Sequence, residues 1–147
     1  MTPSPCIAIL SSIHPSSLRY PSAGDWSILD NGTTRALCAA PEGIDPRSVK
    51  LVLIHELVES WLCSLHGVKE SDVTNFDTSH LHFDEPGDSP EAPYYDQHRI
   101  AISVEKILCE AMGMTWDEHE SNVALMADAV ESALASKSSL RNPNQYP

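Results

Sequence analysis

The chain has 147 residues, of which 41% are hydrophobic and 20% charged, a composition that suits one compact domain and excludes global disorder. Its formal net charge of −12 argues against nucleic-acid binding, because phosphate contacts need clustered lysines and arginines and the nine basic residues here are scattered. The sequence contains no apolar run of about 18 residues, so we expect no membrane span.

The N-terminus and the cysteines predict a cytoplasmic protein. Residues 1–6 lack the basic start and the long apolar stretch that are typical of a signal peptide. The four cysteines are far apart and form no C-x-x-C pair, so we expect reduced and mostly buried thiols at Cys6, Cys38, Cys63 and Cys109.

The first forty residues predict a β-hairpin. Cys6–Leu10 is a short apolar run typical of a strand. Two further runs, Trp26–Leu29 and Thr34–Ala39, flank the dipeptide Asn31-Gly32, which favours a tight turn because both residues tolerate positive φ. We therefore expect an N-terminal hairpin or a small antiparallel sheet.

A long apolar helix follows. Asp45 can cap it, and Pro46 is suited to the first helical position. Hydrophobic residues then recur at helical spacing as far as Leu65, and Gly67 is a typical C-terminal stop. The pattern predicts a helix at about residues 46–66.

Two more helices are predicted in the second half. One begins with Asp96 as its cap and ends at Gly113. The other begins at a capping box that starts with Thr115 and runs to about Ser136, followed by a flexible tail at 137–147. The expectation is one α+β domain over residues 1–136, in which the hairpin or small sheet packs on about three helices.

The most informative motif is His55-Glu56-Leu57-Val58-Glu59, inside the apolar helix. His55 and Glu59 are spaced i, i+4 and face the same side, and Glu56 lies about 100° around the axis. Ionisable groups are costly to bury without a partner, and a metal ion is the partner that best explains this spacing. The motif predicts two metal ligands and one candidate catalytic base.

Two residues of the next helix are candidates for the remaining ligands. His98 and Glu105 are seven residues apart and share a helix face at the edge of the apolar stripe. If the two helices pack by their stripes, His98 and Glu105 converge with His55 and Glu59. Two imidazoles and two carboxylates suit zinc, with manganese or iron as alternatives.

The segment between these helices, residues 68–93, is polar and rich in turn residues, and it predicts an irregular loop. Long loops in compact domains are usually functional. Alternation places His80 and His82 on one side of an extended stretch. We expect Asp77, His80 and His82, together with Tyr95 at the start of the next helix, to contact the substrate, and Asp77 is also a candidate to support the metal shell.

The motif resembles a degenerate form of the H-E-x-x-H helix of zincin metallopeptidases, in which two histidines bind zinc and the glutamate is the general base. The resemblance implies a peptidase- or amidase-type hydrolase with His55 as a ligand and Glu56 as the base. Glu59 replaces the second histidine, and His98 or Glu105 supplies the third ligand, as in the glutamate zincins. The resemblance covers about 25–30 residues, the strand pair and the helix. In its general look the chain also resembles small phage and bacterial proteins.

Two other functions stay open. Nucleotide phosphohydrolases also place histidines and carboxylates on facing helices around a divalent ion, although the H-D and E-x-x-E…E-x-x-D patterns of that class are missing here. Alternatively, the metal stabilises the fold of a non-catalytic module that binds a partner protein. An open coordination position favours an enzyme acting on a small-molecule or peptide substrate, and a closed one favours a structural site.

Overall fold

A small β-sheet and four helices make up the part of the chain that the computed structural model describes, residues 6–81 and 85–140. In chain order the elements are β1 (Ala8–Ile13), β2 (Gly24–Ile28), β3 (Thr34–Ala39), α1 (Pro46–Leu65), α2 (Glu70–Ser79), α3 (Tyr95–Ala111) and α4 (Trp116–Leu140), with short 3₁₀ turns at Pro15–Ser17 and Pro86–Asp88. The strands precede the helices and pack against them, which confirms the predicted α+β class.

The sheet has the order β1-β3-β2. β2 and β3 are antiparallel, which confirms the predicted hairpin, and in its turn Gly32 alone adopts positive φ, at 85°. β1 pairs with β3 in parallel, so the sheet is mixed, whereas the sequence predicted either a hairpin or a small antiparallel sheet. The reason is the ten-residue connection 14–23, which passes the carboxyl end of β3 and so places β1 and β2 on opposite sides of it.

Helix α1 forms where the sequence predicts it. The Asp45 side chain accepts a hydrogen bond from the Arg47 backbone N–H at 2.9 Å, and Pro46 occupies the first turn. The helix ends before Gly67, whose φ of 74° lets the Val68 N–H donate back to the Cys63 carbonyl at 2.8 Å.

Helix α2 corrects the prediction of an irregular segment at 68–93. Residues 70–79 are helical although they carry no long apolar stripe. Val73 and Phe76 pack in one hydrophobic cluster, and Asp77 is buried on the same helix. Asp72 caps the helix by accepting from the Lys69 N–H at 3.3 Å. His80 ends this helix, so the expectation that it lies in an extended stretch is wrong.

The last two helices differ from the prediction at their ends. α3 begins at Tyr95, and Asp96 lies in its first turn without capping it. The Thr115 hydroxyl accepts from the Glu118 N–H at 3.1 Å, as the predicted capping box requires. α4 continues to Leu140, so the first residues of the predicted tail are helical. The remainder of the tail lies outside the described residues.

Helix α1 lies between the sheet and α3 and contacts both. The largest buried cluster joins the sheet, α1 and α4 and includes Ala36, Cys38, Val52, Met126 and Val130. Cys38, Cys63 and Cys109 are buried as expected, whereas Cys6 is exposed. Within the described part of the chain, no helix combines the length and hydropathy that a membrane crossing requires. Because the sheet and α3 cover two sides of α1, polar residues on those sides of the helix lie in the interior of the protein.

Candidate metal centre

Three buried side chains bring potential metal ligands together. His55 and Glu59 come from α1 and His98 from α3, and one ligand atom from each lies within 4.8 Å of the others. Glu59 Oε2 is 3.1 Å from His55 Nε2 and 2.9 Å from His98 Nδ1. In a tetrahedral zinc site with bonds of about 2.0–2.1 Å, ligand atoms are about 3.3 Å apart. The two spacings that involve Glu59 are close to this value, and the two histidine nitrogens lie within 4.8 Å of each other. With a small adjustment of the rings, the donor set fits a divalent ion with two nitrogens and one oxygen.

The surrounding chain holds these ligands in place. The Trp26 indole N–H, from β2, donates to Glu59 Oε1 at 3.0 Å, so both oxygens of this carboxylate are engaged. The Gly87 backbone packs against the His98 ring. A Cβ atom at position 87 would lie 2.6 Å from the ring Cγ. Only glycine leaves room for the imidazole at this point.

The outer nitrogen of each histidine faces a carboxylate. His55 Nδ1 donates to Glu105 Oε1 at 2.7 Å. His98 Nε2 is 3.2 Å from Asp88 Oδ1, outside hydrogen-bond geometry, and this buried nitrogen has no hydrogen-bond partner in the described residues. Carboxylates behind ligating histidines commonly orient the ring and fix its tautomer. Glu105, which the sequence suggested as a ligand, thus contacts the far side of His55 and lies outside the group of three.

Sequence reasoning missed His119 of α4. Its Nε2 is hydrogen-bonded to Glu105 Oε2, and its Nδ1 is 2.9 Å from the Ser48 hydroxyl. The ring is completely buried. A signal was present, because His119 lies four residues before Val123 and seven before Met126, on the apolar stripe of α4. His119 therefore fixes the carboxylate that in turn orients His55.

The charges of this cluster are strongly coupled. Burial alone would raise the pKa of Glu59, but hydrogen bonds from His55 and His98 outweigh it and lower the pKa to about 2. Burial would also lower the pKa of His55, yet hydrogen bonds to Glu105 and Glu59 raise it well above the usual value. Because ionised carboxylates only accept hydrogen bonds, His55 carries a proton on each nitrogen when no metal is bound. Metal binding at Nε2 would release one of them.

Glu56 lies beside the three ligands but is not held by them. It makes no hydrogen bond or ion pair with any residue that the structure describes. The carboxylate lies against Gly24 of β2, where a Cβ atom would be 2.8 Å from Glu56 Oε1. Burial and then the negative charge of Glu59 raise its pKa well above the usual value. A carboxylate with a raised pKa and no hydrogen-bond partner among the described residues is suited to accept and return a proton.

A cavity of about 500 Å³ opens onto this group. Its lining includes His55, Glu56, Glu59 and His98 and extends between β2, α2 and α4. The volume falls within the range of small-molecule sites, about 300–1,000 Å³. The three candidate ligands and the candidate base therefore share one accessible space.

Of the residues predicted to contact a substrate, Asp77 borders the cavity and two others do not. Asp77 lines the cavity, where it accepts hydrogen bonds from the Tyr20 hydroxyl at 3.1 Å and from the Tyr94 hydroxyl. Burial raises its pKa to about 6. Two others are not among the lining residues: His80 Nδ1 donates to the Phe76 carbonyl, and Tyr95 stacks under the Arg99 guanidinium.

The last of these predicted contacts, His82, lies outside the described residues.

Comparisons of the chain with protein-family models, with curated proteins and with solved structures found no significant match.

Proposed function

We propose that this protein is a divalent-metal-dependent hydrolase of zincin-like build, with the ion held by His55, Glu59 and His98. One observation carries the proposal: three buried ligand atoms converge in the wall of a cavity, beside the Glu56 carboxylate, which has no hydrogen-bond or ion-pair partner among the described residues. Two imidazoles and one carboxylate are a donor set found in catalytic zinc sites, and manganese or iron(II) are the alternatives.

The residues around the ion have separate roles in this proposal. The ion supplies Lewis acidity and lowers the pKa of the attacking water. Glu56 accepts the proton of that water and delivers it to the leaving group, as its position on the cavity and its raised pKa favour. Trp26 holds Glu59, and Glu105 holds the His55 ring.

Three protein ligands leave one tetrahedral position open, which favours catalysis over a purely structural site. Glu59 in place of a second histidine adds negative charge to the ligand set, which makes the ion a weaker Lewis acid. Removal of the proton by Glu56 is correspondingly more important. We therefore expect loss of the Glu56 carboxylate to abolish turnover without loss of metal.

The first test is metal content, measured by elemental mass spectrometry on tag-free protein after zinc loading and dialysis. We expect about one equivalent in the wild type and in Glu56→Gln. We expect its loss in His55→Ala and His98→Ala. His66→Ala is the matched control, because this histidine is exposed and outside the cavity. Absence of bound metal from the wild type contradicts the proposal.

The second test is hydrolysis of a fluorogenic peptide mixture by the zinc-loaded protein. General acid–base catalysis is worth about 10²–10⁴-fold, so Glu56→Gln should lose turnover by at least a hundredfold. Unchanged turnover in this variant would show that Glu56 is not the base. If the well-folded protein retains zinc but hydrolyses none of the peptides, a structural metal site is favoured over a catalytic one.

A further inference from the structure

The lining of the cavity is strongly acidic. Among the residues that the structure describes, no lysine or arginine borders the cavity, whereas nine carboxylate side chains do: Asp25, Glu56, Glu59, Glu70, Asp77, Glu85, Asp88, Glu105 and Glu120. The negative charge of the whole chain is therefore concentrated at its candidate site.

Only part of this charge has a basic partner inside the protein. Asp25 is paired with Arg19 at 2.8 Å. Glu59 and Glu105 are hydrogen-bonded to buried histidines, and Glu85 and Asp88 lie 3.8 and 3.2 Å from His98 Nε2. Four others have no lysine, arginine or histidine within ion-pair distance in the described residues: Glu56, Glu70, Asp77 and Glu120.

A bound divalent ion does not cancel the excess. Even if Glu56, Asp77 and Glu85 all kept a proton, six ionised carboxylates would border the cavity, one of them paired with Arg19, against the two positive charges of the ion. At pH 8 Asp77 is ionised, because its pKa is about 6, and adds to this number. Because the walls are of low dielectric, this field is focused into the cavity and attracts cations while it repels anions.

Independent features mark the cavity as a ligand site rather than a patch of acidic side chains. The convergent group His55, Glu59 and His98 lies in its wall. The buried His98 Nε2 also lines it without a hydrogen-bond partner in the described part of the chain.

At the end formed by α2, Asp77 lies between the hydroxyls of Tyr20 and Tyr94, and both rings border the cavity. Each carboxylate oxygen keeps a further lone pair beside the hydroxyl bond that it accepts, so Asp77 can still accept a charge-assisted hydrogen bond from an ammonium or guanidinium group.

We propose that the cavity selects a substrate with a positively charged group, such as a lysine- or arginine-like side chain next to the bond that is hydrolysed, and that Asp77 is the main residue recognising this charge. The selectivity rests on the proposed function, since it describes the substrate of that same site. It disfavours phosphoester and nucleotide substrates, because their charge is of the same sign as the wall.

The binding test compares two probes of nearly equal shape, butylguanidinium and its neutral analogue butylurea. Their dissociation constants are measured by ligand-observed NMR at pH 8, with the full chain both metal-free and zinc-loaded. We expect butylguanidinium to bind at least tenfold more tightly, as a charge-assisted hydrogen bond implies. Equal binding of the two probes, or binding of neither, overturns the proposal.

Substitutions of residues that line the cavity test whether the preference for the cation arises there. Asp77→Asn should reduce the preference for the cation about tenfold. Asp128→Asn, an exposed position outside the cavity, is the matched control and should keep it. Glu70→Gln should reduce the preference less and serves as a second variant if Asp77→Asn fails to fold. A preference that survives both lining substitutions contradicts the assignment to Asp77.

Hydrolysis separates this inference from the proposed function. The zinc-loaded protein is given two peptide mixtures that differ only in carrying arginine or glutamine at one fixed position. Faster cleavage of the arginine peptides supports both proposals. Cleavage at equal rates overturns the selectivity and leaves the hydrolase standing, whereas selective cation binding without cleavage overturns the hydrolase and leaves the selectivity standing.

Discussion

Substitution of Gly87 by alanine tests whether the turn at Pro86–Asp88 positions His98. A Cβ atom here would lie 2.6 Å from both Cγ and Nδ1 of the imidazole. Carbon atoms in contact are normally about 3.5–4.0 Å apart, so the ring or the turn must move by about 1 Å.

The ring has little freedom to move away. It is only 2% exposed, and the His55 ring stands edge-on to it at a centroid distance of 4.8 Å. Its Nδ1 is also hydrogen-bonded to Glu59 at 2.9 Å. Overpacking of this kind costs about 1–3 kcal/mol. Alanine also restricts the unfolded chain, which stabilises by about 0.4–1 kcal/mol, so we expect a net loss of about 1–2 kcal/mol.

The assay is urea unfolding followed by circular dichroism in the presence of a chelator, so that the result does not depend on metal. A zinc titration against a chromophoric chelator then measures affinity, which should fall about 10–100-fold because His98 is displaced. Ser89→Ala is the control, since it alters the same turn without adding an atom near the ring. Stability and zinc affinity equal to those of the wild type in Gly87→Ala would refute the positioning of His98 by this glycine.

Three further predictions concern the supports of the site. His119→Asn, which cannot reach Glu105, should weaken zinc binding about 10–100-fold in the same titration, whereas His119→Gln can still donate to Glu105 and should weaken it less. The pKa of Asp77 is raised from 3.8 to about 6, so protonated Asp77 stabilises the fold fully below about pH 4, and this stabilisation is lost as the pH rises through 6. The free energy of unfolding, measured with urea, should therefore decrease by up to about 3 kcal/mol by pH 8. Asp77→Asn should remove this pH dependence. Gly24→Ala should displace Glu56 and reduce peptide hydrolysis while zinc content stays near one equivalent, and loss of zinc instead would contradict the separation of base from ligands.

The elements that local sequence determines were predicted well. Asp45, Pro46 and Gly67 act only on their own turns, and α1 begins and ends where these residues require. The i, i+4 spacing of His55 and Glu59 is equally local, and both side chains are buried on one face of α1. The Asn-Gly turn of the hairpin belongs to the same class, because a two-residue signal is enough to reverse the chain.

The errors occur where distant parts of the chain supply the stabilisation. Helix α2 has no apolar stripe of its own, and Val73 is buried by packing in a cluster with Trp26, Cys63 and Tyr94. The parallel pairing of β1 with β3 depends on the path of a connection whose own residues do not encode it. Neither feature leaves a periodic pattern that could be read along the chain.

Periodicity places side chains on helix faces, and this was sufficient to identify His55, Glu59 and His98 as candidates. It specifies neither the axial offset between two helices nor the neighbours of a carboxylate. Tertiary packing therefore placed Glu105 behind His55, brought His119 against Glu105 and left Glu56 without a partner among the described residues. The physical reason is that helix periodicity is a short-range property, whereas these buried charges are contacted by residues 14, 39 and 50 positions away along the chain.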